Sequence, residues 1–271
     1  MSHKLATTSP QNFTFFSVSR TNSSLFSGSN NKGLDNIKPY NVWDGLPEGY
    51  VPPSGLPLEQ IALFLANAPC TLERAIKEVE AEMGHKFGCL ISDAFLWFFG
   101  DIAEKMNVPW VTVWSGPRPL LAHLQTDIIR ERVGAPGQED KTLDFLPGFS
   151  DEFRASDLSK VIVFGDIESP HARMWHIMAQ KMPQATVVAV NSFEAMDFKV
   201  TEELKKRLQK LLLVGPLHLV RPVPSEQSIV LDNEEEEKDG CLQWLDNHKP
   251  ASVAYISFGS VATVPPLRWQ H

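Results

Sequence analysis

Long apolar runs are missing from this 271-residue chain. None approaches the ~20 residues needed to cross a bilayer, which argues against a membrane-spanning helix. Cysteine is scarce as well. Cys70, Cys89 and Cys241 form no even framework and show no metal-type spacing, so a disulfide-stapled scaffold and a cysteine-built zinc site are both unsupported. The opening Met1 to Pro10 is polar and carries no apolar signal-peptide core, and together with the cysteine usage this gives a cytoplasmic expectation. Clustered basic charge is lacking too: the net charge is -8, and the densest basic run, Lys205 to Lys210, reads as the solvated face of a helix. A nucleic-acid partner, which would need concentrated Lys and Arg, is not expected. No Gly-x-Gly-x-x-Gly follows an apolar run and no Gly-x-Ser-x-Gly occurs, so a nicotinamide-dependent oxidoreductase and a nucleophile-elbow hydrolase both lack their signatures. There is no internal repeat.

What is present is a core-forming chain, 43% apolar, in which short β-branched or apolar runs alternate with helical patterns. Lys4 to Pro10 reads as the tail of a helix, Phe13 to Val18 as a strand followed by a Ser/Asn/Gly-rich loop, and Ile37 to Val42 as a second short strand. From Leu58, apolar residues recur at three and four positions through Met83, the pattern of an amphipathic helix that Pro69 should kink or divide and Gly84 should close. The strand Cys89 to Ser92, the helix Leu96 to Met106, the strand Pro109 to Trp114 and a helix through Val133 follow. Val161 to Phe164 fits strand or loop, and Pro170 to Met182 fits a helix. Thr186 to Val190 and Leu211 to Val214 fit strands, and Cys241 to Asn247 a short helix before a strand at Ser252 to Ser257. Such alternation predicts βαβ units and a parallel sheet, an α/β fold. Between Val220 and Gly240, prolines, serines and the acidic run Glu234 to Glu237 have the composition of a solvated linker. The expected domains are therefore residues 1–219, a linker at 220–240, and a second unit from 241 to 271.

Asp93 is the candidate catalytic residue, because an apolar strand ends abruptly in this one carboxylate and then restarts as an aromatic segment. In a parallel sheet the crevice beyond the carboxyl ends of the strands is where ligands bind. The simpler alternative is that Asp93 caps the helix that follows it.

Ser92-Asp93-Ala94-Phe95, Asn191-Ser192-Phe193-Glu194, Val214-Gly215-Pro216, Cys241-Leu-Gln-Trp-Leu245 and Ser252-Val-Ala-Tyr-Ile-Ser-Phe-Gly-Ser260 occur in that order. In this the chain resembles plant UDP-sugar-dependent glycosyltransferases, and within them the flavonoid and anthocyanidin 3-O-glucosyltransferase branch, over nearly all of the span from Lys4 to Pro266. The resemblance implies a GT-B fold of two facing Rossmann-like domains, a phenolic acceptor and a UDP-sugar donor as partners, no separate cofactor and no metal. It implies an inverting displacement in which a histidine deprotonates the acceptor hydroxyl and an aspartate, here Asp93, orients that histidine. It also assigns Ser260 to the donor diphosphate and Ser115 to the donor sugar, with Phe95 and His123 lining the acceptor pocket. For His123 and Phe95 plain core packing is the alternative.

Two departures accompany the likeness. The family's histidine-bearing first strand and its nucleotide-sugar segment have no counterpart in these residues, and His3 is too near the start to replace the former. The expectation is a chain truncated at both ends and inactive alone, with an exposed strand edge and a tendency to aggregate; the alternative is a non-catalytic flavonoid-binding fragment. Leu58 and His171 also depart from the polar and aromatic residues expected there.

Overall fold

The structure, a computed structural model, describes residues 2–26, 35–51, 58–150, 152–163, 166, 168–217, 219 and 240–254. They divide into a main unit, which holds the described residues to 219 apart from Val51, and a smaller one with Val51 and residues 240–254.

The main unit is built on two parallel sheets. Strands β1 (Phe13–Val18) and β2 (Ile37–Val42) pair with each other, and β3 (Leu90–Asp93), β4 (Trp110–Trp114), β5 (Val187–Val190) and β6 (Leu211–Leu213) pair in that order. All of these pairings are parallel, as the alternation of strand and helix patterns requires. The register places Asp93 opposite Val113 and Trp114 opposite Val190, so the carboxyl ends of β3, β4 and β5 lie side by side. β4 is interior to its sheet. One of its faces carries buried Trp110, Thr112 and Trp114, and the Trp110 indole donates a 2.9 Å hydrogen bond to buried Ser92 Oγ on β3.

Helices pack on these sheets where their apolar faces demand cover. They are α1 (Ser2–Thr8), α2 (Ser19–Phe26), α3 (Leu58–Met83), α4 (Phe99–Met106), α5 (Pro117–Leu124), α6 (Thr126–Val133), α7 (Lys160–Val163), α8 (Pro170–Lys181) and α9 (Phe198–Arg207). The smaller unit contains α10 (Cys241–Asp246). Buried Ala68, Leu72, Ala75, Ile76 and Val79 form the inner stripe of α3. No helix among the described residues is long and apolar enough to cross a membrane.

Several boundaries differ from the expectation. Pro69 does not divide α3, which runs unbroken for 26 residues. A proline removes only one ladder donor, and buried Ala68 and Leu72 hold the helix on both sides of it. Gly84 closes the helix as expected, at φ +72°. The start of the expected Ser/Asn-rich loop is instead α2. Its buried Asn22 donates to the carbonyls of Ser17 and Tyr40 and to Asn41 Oδ1, contacts that outweigh the weak helix propensity of its neighbours. Val161 to Val163, expected as strand or loop, belong to the short helix α7, and Phe164 lies outside the described residues. Ser252 to Ala254 are not in a strand, and Tyr255 to Ser257 lie outside the described residues. Cys89 precedes β3, and α4 begins at Phe99 rather than Leu96, because the chain first makes turns closed by Leu96 N–H to Asp93 C=O and Phe99 N–H to Leu96 C=O.

Candidate acceptor crevice

Asp93 ends β3 with its side chain exposed at the carboxyl edge of the sheet. Its carboxylate accepts a 2.9 Å hydrogen bond from the backbone N–H of Phe95. The local capping role is thus real, although it serves a turn and not the first turn of α4. One oxygen is engaged this way, and among the described residues Asp93 has no cationic partner and no imidazole within hydrogen-bonding reach. An exposed carboxylate can stay solvated at little cost, so nothing in the local structure forces a partner on it.

Ser115 lies at the same edge, two residues past the register partner of Asp93, exposed between Trp114 at the end of β4 and Gly116, the extended residue that caps α5. Pro117 opens that helix, where a missing N–H costs nothing. The neighbouring β5 is followed by Asn191 and Ser192, and Gly215 packs against them so closely that a β-carbon there would sit 2.5 Å from Asn191 Oδ1 and 2.6 Å from the Ser192 nitrogen. This contact explains why Asn191-Ser192 and Val214-Gly215-Pro216 go together. Only glycine lets the chain after β6 pass that close, and the Gly215 N–H donates to the Ser192 carbonyl at 3.0 Å.

His123 and Phe95 come together through two residues not predicted as part of the site. The imidazole of His123, on α5, lies flat against the indole of Trp175 on α8, with ring centroids 4.6 Å apart and planes 4° from parallel. Trp114 meets the same imidazole edge-on at 5.8 Å, and Phe95 meets Trp175 edge-on at 4.8 Å. Trp114 and His123 are 5% and 7% exposed, Phe95 39%, and Trp175 is half-buried. The four rings therefore grade from an inner pair to an outer pair. Burial holds the His123 pKa down at about 4, so the imidazole is neutral near pH 7 and can accept a hydrogen bond as well as donate one. The indole N–H of Trp114 is buried with no hydrogen-bond partner among the described residues. A wall of flat rings holding a neutral imidazole suits a planar, hydroxylated aromatic molecule.

The signal that could have pointed to Trp175 was its place on the apolar face of the Pro170 helix, but its ring contacts cross more than fifty residues of sequence and leave no periodic trace. Ser260 lies outside the described residues, as do the side chains of His3, Leu58 and His171. Of the site residues that are described, Asp93, Phe95 and Ser115 lie on or just after β3 and β4, and His123 lies on α5, the helix that follows β4.

No protein-family model matches the chain. Among proteins of known activity it is 44% identical over 258 residues to an anthocyanidin 3-O-glucosyltransferase from Vitis vinifera, an alignment covering 94% of this chain and 54% of that enzyme. It is 46% identical over 266 residues to a flavonoid 3-O-glucosyltransferase from Medicago truncatula, covering 97% of this chain and 56% of the relative. Among solved structures it superposes with a TM-score of 0.79 on a UDP-glucose:anthocyanidin 3-O-glucosyltransferase determined with UDP, at 32% identity, covering 94% of this chain and 55% of that one. The resemblance to plant flavonoid glycosyltransferases and the Rossmann-like α/β, GT-B-type fold class are both borne out. The chain spans about half the length of the curated relatives it matches.

Proposed function

We infer that this chain supplies the acceptor-binding part of a UDP-sugar-dependent glycosyltransferase that places a hexose on the 3-hydroxyl of a flavonol or anthocyanidin. The observation that supports the reading best is the aromatic wall of Phe95, Trp175, His123 and Trp114 beside the end of β3, where Asp93 stands. A flat phenol held against that wall would put a hydroxyl near the Asp93 carboxylate. In the inverting reaction a histidine takes the hydroxyl proton as the oxygen attacks the anomeric carbon and the UDP oxygen leaves. Asp93 would orient that histidine and favour its protonated form, and general-base help of this kind is worth ~10²- to 10⁴-fold. His123 suits binding better than proton removal, because an imidazole with a pKa near 4 is a poor base at neutral pH. Ser115 would face the sugar and Ser260 the diphosphate. The domain division at 220–240 and a cytoplasmic site of action belong to the same proposal.

The second reading, a module that binds the phenol without transforming it, rests on the same ring cluster. One experiment separates the two. The purified chain is titrated with quercetin while its tryptophan fluorescence is followed, and is then incubated with UDP-glucose and quercetin with product read by chromatography. Quenching that saturates at micromolar quercetin, with no glucoside formed by the chain alone, is the expected result. Glucoside formation would overturn inactivity in isolation, and absence of quenching would overturn the acceptor site itself.

A further inference from the structure

Trp175 lies against one face of the His123 imidazole, and two rings 4° from parallel at a 4.6 Å centroid distance leave no room for a third between them. The other neighbour of the imidazole, Trp114, approaches from the side and is itself buried. From outside, the order is Phe95, then Trp175, then His123: Phe95 is the most exposed of the four rings and touches Trp175 edge-on. A ligand seeking to stack on His123 therefore meets the indole in the place it would take.

Resting on the acceptor reading above, we propose that Trp175 is a selectivity-determining plug, which a fused, multi-ring phenol must displace in order to stack on His123 and which a one-ring phenol can leave in place. Trp175 sits on α8 and meets Phe95, which follows β3, and Trp114, the last residue of β4, edge-on at 4.8 and 6.0 Å, so displacing the indole breaks these contacts as well as the stack on His123. The stack is worth something to the free protein, and its loss is charged to any ligand that needs the displaced state. The apparent affinity for such a ligand falls by the fraction of molecules in which the plug is already out. A ligand that reaches only the outer edge, beside Phe95, escapes the penalty. The plug thus acts on the ratio of affinities for large and small phenols and not on both alike.

The test is calorimetric titration of the full chain with quercetin and with p-nitrophenol, for the wild type, Trp175→Leu and Trp175→Phe. Trp175→Leu is expected to tighten quercetin binding about ten-fold while p-nitrophenol changes by less than about three-fold, and Trp175→Phe is expected to fall between. Thermal unfolding of each variant reports whether it is folded, and Trp175→Phe keeps a ring against His123 if the leucine variant is not. An unchanged ratio, or weaker quercetin binding in both variants, overturns the plug while leaving the acceptor site standing. If no protein in the series binds either phenol, the acceptor reading and the plug fall together.

Discussion

Replacing Trp110 by alanine is expected to destabilise the main unit by about 3–5 kcal/mol, the usual cost of truncating a large buried aromatic side chain to a methyl group. The indole is 2% exposed at the start of β4, and three things fail together when it goes. Its Nε1 hydrogen bond to Ser92 Oγ is lost, leaving a buried hydroxyl on β3 short of a partner. The helix α4 loses its seat: a β-carbon at Gly100 would sit 2.8 Å from the Trp110 ring, so the residue is glycine because the indole lies against the helix backbone. The cavity left behind is walled by two strands and a helix and cannot collapse fully. Chemical denaturation with the wild type as reference measures the loss. A change below about 1 kcal/mol would mean that the packing of β3, β4 and α4 is not as described. Trp110→Phe is expected to recover part of the loss, since it restores bulk but not the hydrogen bond.

The second large effect is a pH dependence that belongs to His123. Its folded-state pKa is about 4 against an ordinary 6.5, and the cause is burial among aromatic rings. The folded protein therefore refuses a proton that the unfolded chain accepts. Stability contributed in this way is fully present above pH 6.5, declines as pH falls, and is exhausted once the folded imidazole protonates near pH 4. Linkage puts the loss at about 2 kcal/mol by pH 5. His123→Phe keeps a flat ring against Trp175 and removes the titration. Carboxylates such as Glu73, whose pKa is lowered by its hydrogen bonds to Lys77 and Lys105, also weaken the fold in acid, but they do so in both proteins and cancel in the comparison. Unfolding free energies at pH 7.5 and pH 5 should thus fall by about 2 kcal/mol more in the wild type than in His123→Phe. Equal losses in the two proteins would mean that the imidazole is solvated, and the inner-to-outer order of the four rings would have to be abandoned.

The strands were legible in the sequence where a short apolar run stopped at a polar residue, as at Asp93, Ser115 and Asn191, because a buried parallel strand must be apolar on both faces and its end must not be. The same rule made the carboxyl edge readable, and with it the placing of Asp93 and Ser115 at one end of the sheet. Helix α2 was hidden because Ser, Thr and Asn have the composition of a loop. What makes them helical is the side-chain amide of Asn22 reaching the end of β1 and β2, a contact no local pattern records. The short α7 was missed for another reason: the apolar run Val161 to Phe164 is too short for a period to show. Phe95 and His123 were legible as aromatic or polar interruptions, but what joins them was not. Trp175 arrives from a helix far along the chain, and its role follows only from the angle at which it meets His123.

The two-sheet arrangement decides which part of the molecule holds together longest. β4 and β5 are paired on both sides, and the chain segments that carry Ser115, Asn191 and Ser192 leave directly from their ends. Among the described residues the β1–β2 ribbon is tied to the rest by side-chain packing, with Phe16 and Tyr40 against the main core, and not by a shared backbone ladder. Peptide groups in the ribbon can open to solvent while the interior strands stay closed. The strand ends that carry the candidate site accordingly keep their framework through excursions that fray the ribbon.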